Sequence, residues 1–302
     1  MTGIAVIAAA TALFMLLGPA EKTIPGPPYS HYRDSPSPMR LIQVLSGHPR
    51  AERRERVRLA LGQASIDYFE QSFTVGKFKG INLIADVGGD EGAPLLIYFS
   101  HFDPVPGTPA ANDNASCVAA AIPALVRLKR TPPKNLRVRF IFSDGEEYGF
   151  VGAGAYRKEY GYENVVGVAS FEMCGIGDAI GIWDVTGPAV DSKLVRALRL
   201  AADGLDAYHG IHGAVPRFGS DHRAFAGTDV AAVGVTLLPE SDEETLRSYV
   251  DNPNNPVWAL NFMRPIIFRT YHTLEDIAET IDPVAIELTT GLMVDTANIL
   301  DR

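Results

Sequence analysis

From Pro94 to Ser116 the chain reads PLLIYF SHFDPVPGTPAANDNAS. The first six residues form an apolar, partly β-branched and aromatic run between Gly92 and Gly107, which predicts a buried strand. His101 and Asp103 follow at its carboxyl end, where open α/β sheets gather their ligand sites. A two-residue spacing puts both side chains on one side of an extended backbone. A carboxylate beside such an imidazole fixes its tautomer and leaves the other ring nitrogen for a metal. The Gly/Pro-rich loop then delivers Asp113 and Asn114 to the same end.

Outward from this segment, strand and helix patterns alternate. Asn114 to Arg130 reads as an apolar helix, bent at Pro123, whose first N–H groups face the loop carboxylate. Leu136, Val138, Phe140 and Phe142 mark a strand ending in Ser143-Asp144-Gly145-Glu146-Glu147. Gly149 to Tyr160 reads as helix, Val165 to Phe171 as a strand ending in Glu172, and Ile180 to Val185 as another strand. Asp191 or Ser192 caps a helix carrying Leu194, Leu198 and Ala201 on one face. A polar loop with His209, His212 and Ser220-Asp221-His222 precedes the strand Val230 to Leu238. Asp282 and Pro283 start a closing helix with Val284, Leu288 and Leu292 inward.

On the amino-terminal side, Met39 to Leu45 and Arg50 to Phe73 carry helical periodicity. Ile81 to Val87 reads as an edge-type strand that Gly88-Gly89-Asp90 turns into the strand before His101. The expected fold is one α/β domain over 39–302, a mainly parallel mixed sheet sandwiched by helices. The Asn/Pro-rich insertion at 240–270 is long enough to form a flap over the site.

A net charge of −9 and an isoelectric point near 5.3 argue against a nucleic-acid footprint, and no basic stripe with interleaved aromatics is present. Arg50 to Arg58 mixes both signs and reads as a solvated helix face. Cys117 and Cys174 lack a C-x-x-C spacing, and a single bond between them stays open. Ile4 to Leu17 is an uncharged apolar run followed by Gly18-Pro19-Ala20, which resembles a secretory signal although Met1-Thr2-Gly3 carries no basic residue. Residues 1–20 are therefore expected to direct export to the periplasm or the exterior, with an uncleaved membrane anchor as the rival, and 21–38 to form a Pro/Ser-rich tether.

Three successive strands thus end in candidate ligands: His101 with Asp113, then Glu147, then Glu172. Carboxylates gathered in a low-dielectric cleft repel one another by several kcal/mol unless cations compensate them. Two divalent ions bridged by one carboxylate satisfy such a cluster. Nitrogen and oxygen donors without thiolate suit zinc, and manganese and cobalt share that preference.

Five blocks in this order, HFD…NDNAS, DGEE, FEMCG, SDHRAF and YHTLEDIAETID, resemble the co-catalytic zinc exopeptidases. That group includes secreted bacterial leucine aminopeptidases, aminopeptidase Y and glutamate carboxypeptidase, with glutaminyl cyclases as relatives. The resemblance implies that Asp113 bridges two zinc ions, one also held by His101 and Glu172, the other by Glu147 and His272. It implies Glu146 as general base, Asp103 as partner of His101, and Tyr271 as an oxyanion donor. Asp221 and His222 match a loop that faces the site and would line the substrate pocket. Two positions depart from the pattern: Glu172 stands where Asp is commoner, and Cys117 where Gly is. His31, His48, His209 and His212 are read as surface or loop residues.

The implied activity is removal of an N-terminal residue from a peptide substrate. A one-zinc glutaminyl cyclase and a non-catalytic domain on the same fold are the alternatives, and carboxypeptidase or deacylase chemistry stays open.

Overall fold

A computed structural model describes residues 37–302. The expected signal or anchor at 1–20, most of the tether, and His31 lie outside the described residues. Among the described residues no helix is long and apolar enough to cross a membrane.

Helix α1 (Pro38–Leu45) begins where Ser37 caps it, its hydroxyl accepting from the Arg40 amide, so the last two tether positions belong to the domain. Helix α2 (Arg50–Gln63) ends earlier than expected, and Phe69–Val75 is strand β1 rather than more helix. Its hairpin partner β2 (Phe78–Gly88) pairs on its other side with β4 (Arg137–Phe142), so β2 is an interior strand and does not turn directly into β3 (Leu95–Phe99). Helix α3 (Ser116–Arg130) runs through Pro123, and α4 (Val151–Tyr160) follows β4. Then come β5 (Val165–Phe171), β6 (Ala179–Trp183), α5 (Lys193–Gly204) capped by Ser192, and β7 (His209–Ile211) in place of the expected loop. Strand β8 (Ala232–Leu238), helix α6 (Glu243–Asp251) and helix α7 (Pro283–Leu300) complete the domain.

The eight strands order as β1-β2-β4-β3-β5-β8-β6-β7. Pairings β4/β3, β3/β5, β5/β8 and β6/β7 are parallel, whereas β1/β2, β2/β4 and β6/β8 are antiparallel. Strand β3 lies at the centre and alternates between two cores: Leu96 and Tyr98 face the larger one, with α1, α2, α3, α5 and α7, and Leu95, Ile97 and Phe99 face α4. That double burial explains its unbroken apolar run.

Helix α7 is buried through Ala285, Ile286, Thr289, Thr290, Leu292 and Met293, while Val284 is exposed. Leu292 is inward as expected and Leu288 packs half-buried against the same core, so only Val284 departs from the expected face. Thr289 and Thr290 bury because their hydroxyls donate to the carbonyls of Ala285 and Ile286, one turn back.

Gly234 on β8 pairs with Trp183, whose indole covers it so closely that a Cβ there would meet Cε2 at 2.1 Å. Gly234→Ala is expected to cost about 1–3 kcal/mol through overpacking. Denaturant unfolding measures this, and an unchanged midpoint would contradict the packing described.

Candidate metal centre

Parallel pairing aligns the carboxyl ends of β4, β3 and β5, with Phe99 opposite both Ile141 and Ser170. His101, Glu146–Glu147 and Glu172 therefore leave one edge together. Asp113 reaches the same point from the loop before α3, and His272 from the segment before α7.

His101 Nδ1 lies 3.0 Å from the backbone oxygen of Asp103. A carbonyl only accepts, so Nδ1 carries a proton and Nε2 faces the site. Nε2 is 3.2 Å from both Asp113 Oδ1 and Glu172 Oε1, and 3.9 Å from Glu146 Oε2. On the other side, His272 Nε2 is 3.2 Å from Asp113 Oδ2 and 3.1 Å from Glu147 Oε2. The two oxygens of Asp113 thus serve two separate imidazoles.

The carboxylate of Asp103 stands 3.6 Å from Nδ1 and also accepts the backbone N–H groups of Glu146, at 3.1 Å, and Glu147, at 3.2 Å. One buried side chain therefore registers the end of β4 against the end of β3.

Further supports were not legible in the sequence. Asp276 accepts from the backbone N–H of Asn112 at 2.6 Å and of Asp113 at 3.0 Å, pinning the loop that presents Asp113. The Asn114 side chain donates to the Phe171 carbonyl and accepts from the Met173 amide, bracketing Glu172, and the Asp113–Asn114 peptide bond is cis. Ser220 donates to Glu172 Oε2 at 2.7 Å, so the longer Glu172 side chain is anchored at both oxygens.

Arg53 corrects the reading of Arg50 to Arg58 as a solvated face. It is fully buried, donates to the carbonyls of Pro109 and Ala110, and places a cation beneath Asp276, Asp113, Asp103 and Glu147. Burial lowers it to about 10 despite those acids. Arg56 is also buried, against His48 and the Val44 carbonyl. His48 and His212, expected at the surface or in loops, are buried as well, with His48 against Glu52 and His212 beside Glu243. His209 sits half-buried in β7.

Asp221 is sealed in, and His222 backs a cleft with Asp184, Arg223 and Pro188 that contains none of the cluster residues. Asp221 and His222 are 0% and 2% exposed, Asp221 accepting from the Ser143 hydroxyl behind the cluster and His222 lying 3.1 Å from Asp184. Tyr271 stacks on His272, ring centroids 3.6 Å apart, with Phe218 and Phe268 against its other edges. Both cysteines are buried and free.

The electrostatics are those of an acid cluster short of cations. Burial and the Asp113 charge push Glu147 up to about 7 against the pull of His272. Burial also raises Glu146 well above the ordinary carboxylate range, with Glu172, Glu147 and Asp221 adding to it and His101 opposing. Burial would lower His272, yet its contacts with Asp113 and Glu147 carry it to about 10.

Divalent metal suits this donor set. Three triads, His101–Asp113–Glu172, His101–Glu146–Glu147 and Asp113–Glu147–His272, each bring one nitrogen and two carboxylate oxygens within 4.8 Å of one another, and Asp113 is shared by two of them. Donors around a tetrahedral zinc stand about 3.4 Å apart, close to the 3.1–3.2 Å spacings here. Glu147 Oε1 is buried and accepts no hydrogen bond from protein, as a carboxylate oxygen awaiting a cation would be.

The α/β domain thus gathers imidazoles and carboxylates around Asp113 at one sheet edge, a donor set that suits zinc. The chain belongs to peptidase family M28, whose sequence profile matches residues 82–297. A probable lipoprotein aminopeptidase, LpqL, of Mycobacterium tuberculosis is 31% identical over 110 residues, covering 36% of this chain and 22% of its own length. Among solved structures, a zinc aminopeptidase from Bacillus subtilis superposes with a TM-score of 0.56 at 20% identity, over 73% of this chain and 50% of that one. A glutaminyl cyclase from Porphyromonas gingivalis gives a TM-score of 0.67 at 16% identity, over 87% of this chain and 96% of that one. The chain thus spans about a fifth of that curated relative and half of the B. subtilis enzyme, but nearly all of the cyclase.

Proposed function

We propose that this domain is a zinc-dependent aminopeptidase that cleaves the N-terminal peptide bond of peptides. Asp113, shared between two imidazole–carboxylate triads with Glu146 alongside, carries the reading. In it His101, Asp113 and Glu172 hold one ion, and Asp113, Glu147 and His272 a second. When bound, zinc supplies Lewis-acid polarisation of the scissile carbonyl and acidifies water toward neutral pH.

The residues of the chain do the rest. Glu146 takes the proton of the attacking water on a side-chain oxygen and returns it to the leaving amine. Its backbone is fixed by Asp103, so the carboxylate turns over a rigid strand end. Tyr271, wedged between His272, Phe218 and Phe268, presents its hydroxyl to the oxygen on which negative charge develops. The 240–270 segment packs Leu246, Ile267 and Phe268 against Trp183, Phe218 and Leu238, and in this reading it covers the substrate cleft.

Purified protein is expected to hydrolyse an aminoacyl-arylamide, to lose that activity to a chelator and to regain it with zinc. A chelator-insensitive rate would contradict the mechanism. Cyclisation of Gln-initiated peptides with no arylamide hydrolysis would assign the chain to the cyclase branch instead. The apolar run Ile4 to Leu17 and the lipoprotein relative support action outside the cytoplasm. Cell fractionation tests this, and recovery wholly in the cytoplasm would refute it.

A further inference from the structure

We propose that a second feature beside the metal cluster, a cleft of about 460 Å³ walled by Arg217, Arg264, Phe218, Trp258, Phe268 and Tyr271, binds a carboxylate carried by the substrate. The proposal rests on the peptidase reading and specifies the substrate it takes. Tyr271 belongs to both places: one side of its ring stacks on His272, and its hydroxyl-bearing ring also forms part of the cleft wall. Whatever occupies the cleft therefore adjoins the bond to be cut.

The charge of the wall is the distinguishing observation. The chain carries a net charge of −9 and the adjoining cluster is built of acids, yet no carboxylate side chain lines this cleft. Two guanidinium groups do. Among the described ion pairs neither Arg217 nor Arg264 takes part. Arg217 Nη2 donates to Asn254 Oδ1 at 3.0 Å, and Arg264 Nε to the Trp258 carbonyl at 2.6 Å. Each head is thus held in place by a neutral acceptor that leaves its charge and most of its five donors unused. Arg217 also sits at φ +62°, in the left-handed region that a residue with a side chain seldom adopts.

Arg217 is exposed and Arg264 half-buried at the cleft wall, and a guanidinium can grip a carboxylate with two parallel N–H groups. A second cleft of about 440 Å³ is also basic, but there Arg50 already stands 3.5 Å from Asp144 and over the Phe78 ring, with Lys77 in the β1–β2 turn and Lys79 at the start of β2. That cleft supplies the control.

Three sources share the carboxylate chemistry: an acidic N-terminal side chain, an acidic second residue, and the free C-terminus of a dipeptide. Paired substrates separate them: Glu- against Gln-arylamide, Leu-Glu-amide against Leu-Gln-amide, and Leu-Leu against Leu-Leu-amide. One pair is expected to favour the carboxylate member by about 10- to 100-fold in kcat/KM, chiefly through KM. Arg217→Gln and Arg264→Gln should each shrink that ratio, and the double variant should bring it near one, with melting temperatures confirming that the variants fold. Lys79→Gln should leave it unchanged. Equal turnover of both members in every pair would overturn the proposal while leaving the peptidase reading intact, and a ratio that falls with Lys79→Gln but not with the arginine variants would move the site to the other cleft and also overturn it. Absence of turnover on all six substrates would reject the peptidase reading and this inference with it.

Discussion

Glu146→Gln is expected to lower kcat by about a hundred- to ten-thousandfold while zinc content stays at the wild-type level. The side chain keeps its shape, and its backbone remains clamped by Asp103, so the carboxylate's capacity to accept a proton is what is lost. Glu146 stands outside the two triads that share Asp113, its Oε2 3.9 Å from His101 Nε2, and groups instead with His101 and Glu147. Its neighbour Glu147 instead lies 3.1 Å from His272 with its second oxygen unpartnered. Glu147→Gln should accordingly lower metal content as well as rate. Side-by-side metal analysis and kinetics decide between the two: zinc loss from the Glu146 variant with full retention in the Glu147 variant would reverse their roles.

Asp113→Asn is expected to have the widest effect on metal. The two carboxylate oxygens face different imidazoles, so a neutral amide weakens both candidate sites at once and offers an N–H where a donor lone pair is needed. Removing one partner from a buried charged set costs roughly 3–5 kcal/mol, which corresponds to about a hundred- to thousandfold or more in zinc affinity. His272→Ala, in contrast, should spare the ion beside His101, because that triad does not include it. Competition with a fluorescent chelator reads both variants, and equal loss in the two would remove the special position given to Asp113.

These expectations rest on a fold whose centre was legible from the chain. Strand β3 declares itself by an apolar run with no polar interruption, and parallel pairing then dictates that neighbouring strand ends share an edge. The meeting of His101, Glu147 and Glu172 follows from that constraint, whereas Asp113 and His272 are brought in by loops. What was not legible depends on tertiary reach. Strand β1 buries little beyond Gln71 and Phe73, so its sequence carries too weak an alternation to mark a strand against the preceding helix. Helix α7 buries Thr289 and Thr290, which bond back along the helix, together with Leu292, so apolar spacing alone places Val284 on the wrong face.

The same holds for the site's supports. Charged residues on a helix are ordinarily solvated, and nothing local distinguishes Arg53, which is buried beneath the Asp113 loop, from Arg54 next to it. Asp276 acts on backbone groups more than 160 positions away, and no local pattern encodes that distance. Asp221 and His222 escape a local reading for a related cause: a polar Ser-Asp-His run reads as exposed loop, but here it is a buried turn, its side chains held by Ser143 and Asp184 and the His222 amide by the Ser170 hydroxyl.

Diffraction from crystals grown with zinc, with anomalous differences collected on either side of the zinc absorption edge, tests the central claim most directly. The account predicts two peaks, one within bonding distance of His101, Asp113 and Glu172, the other of Asp113, Glu147 and His272. A single peak that excludes Asp113, or none in this cluster, would contradict it.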